Sequence, residues 1–208
     1  MMTRRELLRY GIAAVSVLAL SSRASWLSAA PASSPAAVIG AFYDTLLAAW
    51  KGAATLGFEG RRAKLAPAVR AAYNLPVMTR LTVGPQWQGM TPAQQTQLIS
   101  AFADYSVATY ASRFNTYSGE RFEVDPNPSP TTNGVIVHTK LIKSDGNPVQ
   151  LDYLMQQSDG GWHVIDVYLS GTISELATRR SEFSSVLSHG GADALAEALK
   201  KKANDLKG

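Results

Sequence analysis

The run Val135-Ile136-Val137-His138-Thr139-Lys140-Leu141-Ile142, the turn Ser144-Asp145-Gly146-Asn147-Pro148, and the two segments that follow it decide the fold. In the first segment Val135, Val137, Thr139 and Leu141 alternate with Ile136, His138, Lys140 and Ile142, the two-residue period of a strand. Val149, Leu151, Tyr153 and Met155 keep that period. Past Ser158-Asp159-Gly160-Gly161, the stretch from Trp162 to Leu169 continues it. The connections are rich in Asp, Gly, Asn and Pro, which suit tight hairpin turns, so the strands pair antiparallel. Phe122 and Val124 start an earlier strand, and residues 125–133 read as a Pro/Asn/Thr loop.

On both sides the period changes to that of a helix. Val38, Ile39, Phe42, Leu46 and Trp50 give residues 35–50 one apolar face. Gly52 and Gly57 loosen the chain, and a short helix over 61–73 is disturbed by Pro67. Another, over 76–83, ends near Gly84-Pro85. Thr91 can cap the longest helix, Pro92 suits its first position, and Gln94 completes a capping box. That helix runs through Leu98, Phe102, Tyr105, Thr109 and Phe114 toward Gly119. After Gly171, Leu176, Phe183, Val186 and Leu187 stand at helical spacing. Gly190-Gly191 breaks this helix, and a last one covers 193–206. Helices, a strand meander and helices again make an α+β domain with helices on one face of a twisted antiparallel sheet.

Charge needs to be divided along the chain. Its 208 residues carry a formal +4, which invites a nucleic-acid reading. Residues 1–32, however, have the features of an export signal: a basic start (Arg4, Arg5, Arg9), a short apolar run over 10–20, and Ala30-Pro31-Ala32 as a small-residue cleavage site. Arg4-Arg5 followed by Leu7-Leu8 also resembles a twin-arginine signal. This segment holds four arginines (Arg23 is the fourth) and one glutamate, so 20 basic and 16 acidic groups become 16 and 15, net about +1. The remaining basic clusters, Arg61-Arg62-Lys64, Arg179-Arg180 and Lys200-Lys201-Lys202, read as solvated helix faces able to dock an acidic partner or anionic headgroups. No basic stripe interleaved with aromatics appears, so nucleic acid is not the expected partner. Residues 33–208 form one domain.

Most enzyme chemistry lacks its residues. The chain has no cysteine, which excludes disulfides, thiol catalysis and cysteine-based metal sites. His138, His163 and His189 are isolated in sequence, without ligand spacing, and no metal or other cofactor is expected. Asp152 and Asp166 sit inside apolar strands, where an unpaired carboxylate is costly to bury. They are either structural, paired with Arg179 or Arg180 or facing solvent, or an acid–base pair of a small enzyme acting on an apolar substrate. The structural alternative is favoured, because catalysis needs a second polar group in the same pocket. Aromatic residues are plentiful: Trp87, Phe102, Tyr105, Tyr110, Phe114, Tyr153, Trp162 and Tyr168. They make either an ordinary core or the wall of a cavity for an apolar ligand.

A group of motifs in order narrows the choice. Leu81-Thr82-Val83-Gly84-Pro85-Gln86-Trp87, Thr91-Pro92-Ala93-Gln94-Gln95 and Phe102 resemble the signature of the MlaC family of periplasmic lipid-transfer proteins. So do Thr109-Tyr110-Ala111-Ser112-Arg113, Leu151-Asp152-Tyr153, Trp162-His163-Val164-Ile165-Asp166-Val167 and Arg180-Ser181-Glu182-Phe183. The family is also known as toluene-tolerance or auxiliary components of an ABC transporter, and one branch is associated with hopanoid biosynthesis. The resemblance implies a cone-shaped, cystatin-like α+β fold enclosing an apolar pocket. It also implies a periplasmic carrier, without catalysis, shuttling phospholipid or a related lipid such as a hopanoid. Its partners would be an inner-membrane ABC transporter complex and an outer-membrane lipoprotein complex. The expected lipid-binding wall is Val83, Trp87, Phe102, Tyr105, Tyr110, Val137, Leu151, Tyr153, Val164, Tyr168 and Phe183. Three departures stand out: Tyr73-Asn74 for an aromatic–Asp pair, Ser170 for an acidic residue, and Thr178-Arg179-Arg180 for an Asn-Tyr-Arg type sequence.

Overall fold

The computed structural model describes residues 33–207; the export segment expected at 1–32 lies outside them. Helix α1 (Pro35–Lys51) begins where Ser34 Oγ accepts the Ala37 N–H at 3.2 Å and Pro35 takes the first position. Its buried stripe is Ile39, Phe42, Tyr43, Leu46 and Trp50. Helix α2 (Ala53–Ala72) is longer than the expected 61–73: the chain kinks at Gly57, φ 60°, and resumes, with Pro67 inside. Arg61 also departs from expectation. It is buried, donating to the Ala111 carbonyl at 2.8 Å and the Ala53 carbonyl at 3.0 Å, so it ties α2 to its neighbours and does not face solvent.

Helix α3 (Leu75–Val83) is capped by Asn74, whose Oδ1 accepts the Val77 N–H at 3.1 Å. A 3-10 turn over Gly84–Gly89 follows. At Gly84, φ 73°, a Cβ would lie 3.0 Å from the Arg180 guanidinium, so the position needs glycine for both its backbone and its neighbour. Helix α4 (Pro92–Arg113) has both halves of the expected capping box. It ends at Arg113, short of Gly119. Phe114 leaves the helix, and its ring packs edge-on to Trp50 at 4.7 Å.

The sheet runs β1 (Arg121–Val124), β3 (Gly134–Ile142), β4 (Pro148–Ser158), β5 (Gly161–Leu169) and β6 (Ile173–Ser174), with β2 (Ser129–Thr131) paired to β3, all antiparallel. The short β2 lies within the segment expected as loop. Register places Val137 opposite Tyr153, Thr139 opposite Leu151, and Tyr153 opposite Val167. With a side-chain period of two, these residues share one face, which lies against the helices. The Asn74 N–H reaches the Val164 carbonyl at 2.9 Å and ties the helical layer to β5. Helix α5 (Glu175–Asp205) kinks at Gly191, φ 66°, where the break was expected.

Candidate functional site

A cavity of about 170 Å³ lies between the helices and the inner sheet face. The two-residue period delivers Leu151 and Tyr153 from β4 and Val167 and Leu169 from β5 to its wall. From α4 come Phe102, Ser106, Thr109, Tyr110 and Arg113, one stripe at helical spacing. Ser106 and Thr109 do not make this stripe polar. Their hydroxyls donate to the Phe102 and Tyr105 carbonyls, each at 2.8 Å, and spend their hydrogens on the helix itself. Leu46, Val69, Met78, Phe122 and Leu141 complete the apolar wall.

The floor carries tyrosine hydroxyls paired among themselves. Tyr43 bonds Thr139 Oγ1 at 2.7 Å and Tyr153 at 3.0 Å, Thr139 donates to the Leu151 carbonyl at 2.5 Å, and Tyr73 bonds Tyr110. Burial raises the pKa of all four tyrosines above the ordinary phenol value, because a phenolate there would lose its hydration. The floor is therefore neutral and its hydrogen bonds are made internally.

The rim is different. Arg113, in the last turn of α4, and Glu175 and Arg179, in the first turns of α5, line the same cavity. Arg113 Nη1 stands 4.0 Å from Glu175 Oε1, and Arg179 Nη2 stands 3.8 Å from Glu175 Oε2. Both separations exceed a hydrogen bond. The Arg179 guanidinium lies over the Tyr105 ring at 4.8 Å and the Phe102 ring at 5.8 Å.

Of the expected wall, Phe102, Tyr110, Leu151 and Tyr153 line this cavity and seven residues do not. Val83, Val137 and Val164 are packed into solid core. Phe183 stands one layer behind, edge-on to Phe102 at 6.5 Å. Trp87 lies on the 3-10 turn after α3 and packs against the core from outside. Tyr105 lies outside the lining, with the Arg179 guanidinium over its ring. Tyr168 pairs across from Asp152, a neighbour of Tyr153 in the strand and therefore on the opposite sheet face. Sequence reasoning missed Tyr43, Val69, Tyr73, Arg113 and Glu175, whereas Arg179 belongs to a basic cluster read as able to dock anionic headgroups. Tyr43 neighbours Phe42 on a stripe already read as buried, whereas Arg113 and Glu175 meet only through tertiary packing.

Neither carboxylate singled out earlier lines the cavity, and neither pairs with Arg179 or Arg180 as expected. Asp166 accepts the Val167 N–H at 2.8 Å, the Leu176 N–H at 3.1 Å and the Ser174 hydroxyl at 2.6 Å, and so anchors the start of α5. Asp152 is buried on the outer face beside Gln150, which donates to it at 2.8 Å. His138 brings Nδ1 to 3.1 Å from Asp152 Oδ1, out of line for a hydrogen bond, and its Nε2 meets Ser129 Oγ at 3.0 Å. The juxtaposition comes from the His138–Asp152 register of β3 and β4.

Fold and site define an α+β binding domain, with an apolar cavity that is neutral at its floor and charged at its rim. The chain belongs to the MlaC family: the family model described as MlaC protein matches residues 42–201. The fold is similar to that of a phospholipid-binding protein from Ralstonia solanacearum, solved in complex with a phospholipid. That match has 24% sequence identity and a TM-score of 0.72, and covers 84% of this chain and 99% of the other.

Proposed function

We propose that this chain is a lipid carrier that binds and moves a phospholipid, or a related lipid such as a hopanoid, without chemical turnover. The carrying observation is the cavity itself: its strand and helix walls present hydrocarbon, and its charges stand together at the rim. Each CH₂ taken from water into such a wall is worth ~0.8 kcal/mol, so acyl chains supply the affinity and a polar end stays wet. Membership of the MlaC family and the phospholipid held by the Ralstonia protein support this reading. Export by residues 1–32 would place the carrier in the periplasm, where residues 33–208 would exchange lipid with an inner-membrane transporter and an outer-membrane complex.

The cavity of about 170 Å³ is comparable with engineered cavities of ~150 Å³ that admit one benzene ring. Loading a lipid must therefore part the walls. Organic extraction and native mass spectrometry of protein purified from its host test the reading. Lipid in stoichiometric amount is the expected result. Protein that stays empty, and takes no lipid from vesicles, overturns it.

A further inference from the structure

We propose that Arg113 and Arg179 form a two-armed seat for the phosphate of a lipid headgroup carrying one net negative charge. Lipids of that class would be taken in preference to zwitterionic lipids with the same tails. The inference rests on the carrier reading and adds headgroup selection to it.

Three observations carry it. The first is unused hydrogen-bonding capacity. A guanidinium has five N–H donors and no acceptor. The closest carboxylate oxygens stand 3.8 Å from Arg179 and 4.0 Å from Arg113, and among the described residues neither side chain makes a hydrogen bond. Arg179 is 13% exposed at its side chain and none of its nitrogens is sealed from solvent, so a ligand can reach donors that the protein leaves unpaired. A phosphate supplies several acceptor oxygens at the spacing a guanidinium fork matches.

The second is orientation. Arg179 lies over Tyr105 and Phe102, and these rings hold its guanidinium in place at the edge of the aromatic wall. Phe102 belongs to the cavity wall, so this cation stands where the apolar surface stops.

The third is charge balance. Two cations and one carboxylate leave the rim with one positive charge. Glu175 is a poor seat for the ammonium of a zwitterionic headgroup, because each of its oxygens has an arginine within 4.0 Å. An ammonium placed there would stand beside two guanidinium groups.

The test uses the full chain, stripped of lipid, incubated with vesicles in which phosphatidylglycerol and phosphatidylethanolamine of identical tails are mixed in equal amounts. Mixing both lipids in one vesicle removes general surface attraction as a cause of preference. Lipid extracted from the re-isolated protein should be enriched in phosphatidylglycerol about tenfold, the effect of one charge-assisted contact. Arg179→Gln with Arg113→Gln should bring the ratio to near parity. Glu175→Gln, which removes only the competing carboxylate, should raise it and serves if the double variant fails to fold. Equal loading of both lipids by the unaltered chain overturns the headgroup inference and leaves the carrier standing; no loading of either overturns the carrier itself. Calorimetric binding of inorganic phosphate as tight as that of the lipid would show a site for free phosphate and also overturn the inference.

Discussion

The floor and the rim of the cavity are both polar, yet they treat their hydrogen bonds in opposite ways. At the floor, Tyr43, Tyr153 and Thr139 bond one another, Thr139 passes its hydrogen to the Leu151 carbonyl, and Tyr73 bonds Tyr110. At the rim, Arg113 and Arg179 stand too far from Glu175 to donate to it. The floor satisfies itself, so its polarity is structural and invites no ligand group. The rim leaves donors open, and its polarity is available for binding. Polar side chains in a pocket are thus no guide to recognition until their partners have been counted.

The contrast is sharpest where wall and rim meet. Phe102 is 1% exposed, borders the cavity, packs against Phe183 and lies beneath Arg179. Phe102→Ala removes a core ring and the rim's support together, and should cost about 3–5 kcal/mol of stability by urea denaturation. A loss below about 1 kcal/mol would show that the wall is not continuous with the core.

Alkaline pH tests the floor alone. Tyr43, Tyr73, Tyr110 and Tyr153 all have folded-state pKa values raised by burial above the ordinary phenol value of about 10. Below pH 10 both folded and unfolded chains keep these protons, so the stabilisation is fully present. Above it the unfolded chain releases them while the folded chain does not. Stability should then fall as pH rises, by up to about 1.4 kcal/mol per pH unit for each tyrosine still protonated in the fold. Denaturation midpoints that stay level from pH 9 to pH 11 would mean the hydroxyls are not held in a dry floor. Lipid loading at pH 8 should be unaffected by this titration.

Much of the fold was legible because it rests on local periods. The alternation through Val135–Leu169 yields β3, β4 and β5, and the Thr91–Gln94 box marks where α4 begins. Ends were less so: α4 stops at Arg113 because Phe114 turns away to pack on Trp50, sixty-odd positions earlier in the chain. Within the site, Phe102, Tyr110, Leu151 and Tyr153 could be placed as large apolar or aromatic residues on the inner faces of their elements. Val137 and Val164 share those properties and are solid core, because periodicity selects a face but not the gap within it. The rim, apart from the basic cluster at Arg179, was invisible for a different reason. Arg113 and Glu175 read as ordinary helix-end charges, and only the packing of α4 against the start of α5 sets them within 4.0 Å. Likewise Asp152 and His138 meet through strand register, which sequence alone leaves undetermined.

A matched pair of substitutions gives the smallest effects and the most direct reading of floor against rim. Tyr43→Phe deletes one hydroxyl from the floor and leaves Thr139 and Tyr153 each short of a partner in a buried place, which should cost about 1–2 kcal/mol. Arg113→Gln deletes a full charge from the rim. Its side chain is 59% exposed and makes only the 4.0 Å approach to Glu175. Screened contacts of that kind contribute little, so stability should change by less than about 0.5 kcal/mol. The same two variants should reverse their order in lipid loading, with Tyr43→Phe near normal and Arg113→Gln altered in which headgroup it carries. Equal stability losses from the two would erase the distinction between a self-satisfied floor and an open rim. A stability cost for Arg113→Gln above that of Tyr43→Phe would place the rim cation in the architecture of the fold, where its donors would no longer be free for a ligand.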